Sequence, residues 1–283
     1  MKNILKQKNS HIMTSKKYIP MDLAFEHYAH VKQDLNSFEY AKICAEMSNP
    51  RYVTVTEAEG LDLYMKGELL LPDKVRVVWM HDVERPNDNL LALRMAEMEH
   101  AFGFRSSFNI RVVCAIDDEW RQDLLRIAEL GDHDIEYQHE DLVITQGDQT
   151  AGLESFRSNL AYLRTFFPKI RVAFGHGVYK SGIDSAALFR TNGEYDQKLL
   201  DECGLPKYGE FYFFMSHLRK ELGNRFRHVS EGTNCYGGDD FVAELKKCRE
   251  GDVMFFLQHP TWWSSNYDFD DLKRIMRKSV FFH

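Results

Sequence analysis

The sequence predicts a mixed α/β protein, a distorted (β/α)7-type barrel in a single domain. Three observations lead there. From residue 75 onward, short apolar runs rich in β-branched and aromatic residues alternate with longer segments of helical apolar spacing, the rhythm of parallel βα units. Titratable residues gather directly behind the apolar runs, where the C-terminal ends of barrel strands carry function. The 283 residues, 44% apolar and 28% charged, suffice for one sizeable core without a second domain.

Taken in order, residues 1–20 read as a flexible tail. Residues 21–70 read as an N-terminal helical extension of a domain running from 21 to 283. Within that extension, 21–48 has helical spacing, RYVTVTEAE alternates like a strand, and GLDLYMKGELLLP leads to a turn. Seven strands are then expected: VRVVWMH (75–81), SSFNIRVV (106–113), DIEYQ (134–138), IRVAFG (170–175), EFYFFM (210–215), FRHVS (226–230) and VMFFLQ (253–258). Helices over 89–103 and 117–131 each run into a glycine stop, and one over 149–167 is ended by Pro168. A helical turn at SAALF, a helix near YDQKLLDECG and helices over 239–251 and 268–279 complete the pattern. Seven strands fit an incomplete or seven-stranded barrel better than an eight-unit one; a doubly wound open sheet is the structural alternative.

The net charge of −7 offers no field for a phosphate backbone, which argues against nucleic acid as a main partner; a small-molecule or oligosaccharide substrate is the expectation that the motif resemblance below brings. The polar, basic start MKNILKQKNSHIMTSKK has no apolar run of signal-peptide length, and no stretch approaches the ~18 apolar residues of a membrane span. A cytoplasmic location is the expectation. The five cysteines are widely spaced and show no zinc or redox spacing, so they are expected as free thiols.

Chemistry concentrates at four strand ends: His81, Asp82 and Glu84; His139, Glu140 and Asp141; His176 and later Asp184; His259, Pro260, Trp262 and Trp263. Asp82 and Glu84 are two apart and on an extended segment point to one side. Two carboxylates on one face repel unless a cation or proton lies between them. With imidazoles from other strands they offer oxygen and nitrogen donors that suit one divalent metal, zinc first and Mn, Ni, Co or Fe after it, better than calcium. A carboxylate would serve as base and a histidine across the site as acid. Trp262, Trp263 and Tyr267 could stack on sugar faces, and are equally ordinary as core residues. His81 could equally be a strand-end residue hydrogen-bonded within the barrel.

These motifs resemble the polysaccharide deacetylase superfamily, carbohydrate esterase family 4 and its relatives, in a branch whose first motif is R-H-D-V-D. Here that motif reads Met80-His-Asp-Val-Glu84, and NLLALRMAEMEHAFGFRSSF follows it. DIEYQHEDL (134–142), GHGVYKSGID (175–184) and HPTWW (259–263) are similar to the later motifs, so the likeness spans roughly residues 70–265. The resemblance implies Asp82 as base and metal contact, Glu84 and His139 as metal ligands, and His259 as general acid. Val143 stands where the second histidine of H-x-x-x-H is usual, so His176 is the substitute ligand, and Asp184, Trp262 and Trp263 fall in substrate-binding positions. The implied reaction is removal of an acetyl or formyl group from a sugar, or from a nucleotide- or lipid-linked glycan precursor. Glu84 in place of Asp and the missing Arg-Pro motif are departures. The rivals are a ring-amide amidohydrolase, a degenerate barrel that binds a glycan or partner, and a two-carboxylate glycosidase.

Overall fold

A computed structural model of the protein describes residues 35–178, 182–231, 235 and 237–265. The tail over 1–20, the first part of the 21–48 segment, Tyr267 and the helix expected over 268–279 lie outside the described residues.

The described residues start with α1 (Ser37–Met47), in which Asn36 accepts a hydrogen bond from the Glu39 N–H and Tyr40, Ile43, Cys44 and Met47 form the buried stripe. Then come β1 (Tyr52–Val55) and α2 (Glu57–Met65). The segment expected to lead into a turn is thus helical. Thr56 and Glu59 form a reciprocal capping box at its start, which satisfies two helix-end donors at once. The extension is not purely helical either, since β1 pairs with β2 (Val75–Val83).

Next follow α3 (Asp88–Phe102), β3 (Ser106–Ile110), α4 (Asp118–Leu130), β4 (His133–His139), α5 (Asp141–Ile144), α6 (Gln149–Arg164) and β5 (Ala173–Gly175). The glycine stops act as expected: Gly103 and Gly131 close α3 and α4 at φ 75° and 84°, where a side chain would be strained. Two short hairpins, β6 (Gly177–Val178) with β7 (Ile183–Asp184) and β8 (Arg190–Thr191) with β9 (Glu194–Tyr195), precede α7 (Gln197–Glu202). The chain closes with α8 (Phe211–Leu222), β10 (Phe226–Ser230), α9 (Gly238–Lys246), β11 (Val253–Gln258) and a 3-10 turn at Pro260–Trp263.

The expected strand over 210–215 is instead the first half of α8. Glu210 caps the helix by accepting from the Phe213 N–H at 2.9 Å. Phe211, Phe214, Met215, Leu218 and Leu222 then bury one helical face. Aromatic strand propensity in a short window yields to a stripe that runs for three turns. A single bridge between Ala173 and Glu210 is what remains of strand pairing there.

The main sheet is parallel, seven strands in the order β10-β11-β2-β3-β4-β5 with β1 also on β2, and it curls into a half-barrel. One edge of β2 pairs with β11 over residues 76–81. The other edge is shared, β1 taking 75–78 and β3 taking 80–83. Every residue of β2 is buried, as expected for a strand covered on both faces. On the concave side Val78, Met80, Val172, Phe174, Phe255 and Leu257 pack with apolar residues of α2 and α8. The convex side is covered by α3, α4 and α6 over one half and by α1 and α9 over the other.

The convex side also holds a buried charged network. His81 Nε2 lies 2.9 Å from Glu99 Oε1, Tyr40 donates to the same carboxylate, and Ser106 Oγ donates to Glu99 Oε2 at 2.6 Å. His81 therefore holds layers together and faces away from Asp82, its neighbour in β2. All five cysteines are free and buried. Among the described residues no helix is long and apolar enough to cross a membrane.

Candidate active site

The C-terminal ends of the strands bring four of the expected residues together. Asp82 ends the inward row of β2 and Glu84 follows two residues later. His176 comes directly after β5, and His259 directly after β11. His259 Nε2 lies 3.8 Å from Asp82 Oδ2 and 3.8 Å from Glu84 Oε1. His176 Nε2 lies 3.3 Å from the same Glu84 oxygen. Both imidazoles thus present Nε2 to the carboxylate pair, and the shared face inferred from the i, i+2 spacing is present.

The opposite ring nitrogen of each histidine faces a further carboxylate. His259 Nδ1 is 3.0 Å from Glu231 Oε2, and Glu231 Oε1 accepts from the His259 N–H at 3.1 Å and from Trp263 Nε1 at 2.8 Å. His176 Nδ1 is 3.4 Å from Glu140 Oε2. Arg111, at the end of β3, donates to Glu140 Oε1 at 2.5 Å and to the Glu84 carbonyl at 3.0 Å. Thr261 Oγ1 donates to Asp88 Oδ1 at 2.8 Å, tying the turn after His259 to the start of α3.

The electrostatics follow from this packing. Burial raises the Asp82 carboxyl to about 6, against the pull of His259. Burial would raise Glu84 as well, but His176 and then His259 hold it well below the usual carboxylate range. Burial would lower both imidazoles; instead Glu140 and Glu84 raise His176 to about 9, and Glu231, Glu84 and Asp82 raise His259 to about 10.

His139 stands apart from this group. It belongs to the face of β4 that carries Tyr137, and its ring packs edge-on against Phe156 and Phe189. Both ring nitrogens are buried without a hydrogen-bond partner, and burial lowers its pKa to about 3. The reason is the strand's period of two: Glu136, Gln138 and Glu140 face the concave side and His139 does not. The other expected substrate contacts also have structural work. Trp263 is buried against Tyr40 and Phe241, and Trp262 is half-buried. Asp184 is exposed, accepts from the Ala186 N–H at 3.0 Å and pairs with Arg190 at 2.8 Å. Sequence reasoning placed Glu140 at a strand end without a role and missed Glu231, Arg111 and Asn109, which donates to Asp82 Oδ1 at 3.2 Å. Alternation along β4 would have found Glu140; no local signal marks Glu231.

A divalent metal can be tested against these donors. Metal-binding imidazoles commonly tie their far nitrogen to a carboxylate; His259 does so through Glu231, and His176 Nδ1 stands 3.4 Å from Glu140. Donors about 2.0–2.2 Å from one tetrahedral cation stand roughly 3.3–3.6 Å apart, close to the 3.3–3.8 Å separations around Glu84 Oε1. Among the described residues no group of three or more His, Cys, Asp or Glu side chains is placed to hold a metal ion. Glu84 Oε1 and His176 Nε2, 3.3 Å apart, have the spacing of two ligands of one cation, and Asp82 offers a further oxygen donor 3.8 Å from the same His259 Nε2 that faces Glu84.

No protein-family model and no curated protein matches the chain.

Proposed function

We propose that the chain is a metal-dependent hydrolase on a (β/α)7-type barrel, removing an acetyl or formyl group from a sugar or from a nucleotide- or lipid-linked glycan precursor in the cytoplasm. The observation that carries the reading is the convergence of Asp82, Glu84, His176 and His259 from three strand ends, each imidazole aimed by Nε2 at the carboxylates. The resemblance of the first and last motifs to polysaccharide deacetylases supports the acyl-sugar substrate class.

Glu84 and His176 would hold the cation, with Asp82 Oδ2 at its edge. A bound divalent metal, zinc foremost, supplies a water of pKa near ~7 and polarises the acyl carbonyl. Asp82 is the base: burial keeps its carboxyl basic enough to take the proton of the attacking water, and Asn109 fixes its other oxygen. His259 carries a proton on Nε2 and delivers it to the departing amine or alcohol. Glu231 holds the ring by Nδ1 and stabilises its cationic form, and Trp263 and the His259 N–H hold Glu231.

A barrel that binds a glycan or partner without catalysis is the second reading. It is favoured by the position of His139, which removes one expected ligand. The experiment is an acid-release assay over N-acetyl and N-formyl amino sugars and their nucleotide-linked forms. Wild type is expected to release acid, with Asp82→Asn and His259→Gln each slower by about 10²–10⁴-fold. Turnover unaffected by both variants, or none on any member, would overturn the hydrolase reading.

A further inference from the structure

Beneath this centre the concave face carries buried polar groups that acyl transfer leaves unused. Asp82, Asn109 and Glu136 are register partners across β2, β3 and β4, so they form one row. Glu57, the first residue of α2, reaches the row from below, its N–H donating to Ser107 Oγ at 2.8 Å. The single Nδ2 of Asn109 donates to Asp82 Oδ1 at 3.2 Å and to Glu57 Oε1 at 3.3 Å. One amide therefore spends its two protons on two carboxyl groups. Turning the amide over would set its oxygen against both, so its orientation is fixed by the pair.

The charged groups facing Glu57 are Glu136, Asp82 and Asp134, all acidic; burial, then Glu136 and Asp82, push its carboxyl well above the usual range. Asp82 instead faces His259 at 3.8 Å. Glu57 is thus tied to Asp82 through the one amide of Asn109. Its Oε2 and the neighbouring Glu136 Oε1 and Asn109 Oδ1 are buried with no hydrogen-bond partner; a proton on Oε2 supplies a donor where these acceptors have none.

We infer that Glu57 is a positioning residue for Asp82. Through Asn109 it fixes Asp82 Oδ1 and leaves Oδ2 to work at the site. The inference rests on the reading of Asp82 as the base.

The test compares full-length wild type, Glu57→Gln and Glu57→Leu by two readouts. One is hydrogen exchange of the Asn109 side-chain amide by NMR, which needs no substrate. The other is kcat and KM on the acyl sugar found above. Glu57→Gln, which keeps the shape without the charge, is expected to preserve amide protection and kcat. Glu57→Leu is expected to lose protection and to lower kcat about 10- to 100-fold at unchanged KM. Retained protection in Glu57→Leu, or lost protection in Glu57→Gln, overturns the inference. Should Glu57→Leu not fold, Glu57→Gln alone decides. Failure to find a substrate would count against the hydrolase and leave the exchange result to judge the positioning chain.

Discussion

Neighbouring residues of one strand serve opposite sides of this molecule. Asp82 faces the concave site, while His81 faces the convex layer and meets Glu99 at 2.9 Å. Glu99 is fully buried, and His81, Tyr40 and Ser106 all bond to it. Glu99→Ala leaves a buried imidazole and two hydroxyls without their acceptor and is expected to destabilise the fold by about 3–5 kcal/mol, read by denaturant unfolding. His139 makes the converse case. Its ring nitrogens are buried and unpartnered, so His139→Leu is expected to stay within about 1.5 kcal/mol of wild type and to leave the site intact. A larger loss would show that the ring has a polar partner. Asp82, Glu84, His176 and His259 were legible because each sits next to the end of an apolar run. The place of His139 was not legible from its motif, because the alternation of β4 puts Glu136, Gln138 and Glu140 on the site's face and His139 on the other.

At the scale of elements, caps and stripes decide. Asp117 accepts from the Glu119 and Trp120 N–H groups at the start of α4, and Asp117→Ala is expected to cost about 1 kcal/mol in thermal unfolding. The β4–β5 connection rests on Glu136, whose Oε2 accepts from the Arg171 and Val172 N–H groups at 2.9 and 2.8 Å. Burial raises its carboxyl to about 8 against those bonds. A folded pKa above the unfolded value of 4.5 means that Glu136's contribution is full below pH 4.5 and is lost as the pH climbs through 8. Glu136→Gln is therefore expected to match wild type near pH 5 and to unfold later than wild type near pH 8, by a margin on the order of a few kcal/mol. A margin independent of pH would contradict this. Helices closed by glycine and strands of β-branched residues were legible. The 210–215 segment was not, because five aromatic and apolar residues behind Glu210 carry no period until the next seven are read with them.

At the scale of the whole molecule, β1 brings the strands to seven by pairing with β2, while the place between β5 and β10 is left to α8, which packs on the concave face. Parallel βα order was visible in the sequence as rhythm. The pairing of β1 below β3 along one edge of β2 was not, since register between distant segments leaves no local mark. Curling puts the ends of β2, β5 and β11 within reach of one another, and the chemistry proposed here depends on that meeting. The direct test is divalent metal content by plasma mass spectrometry on protein purified without chelator, for wild type, His176→Ala and His139→Ala. Near one equivalent in wild type and in His139→Ala, lost in His176→Ala, is the expected result. Wild type that takes up no metal when offered it, or loss in His139→Ala with retention in His176→Ala, would contradict the account.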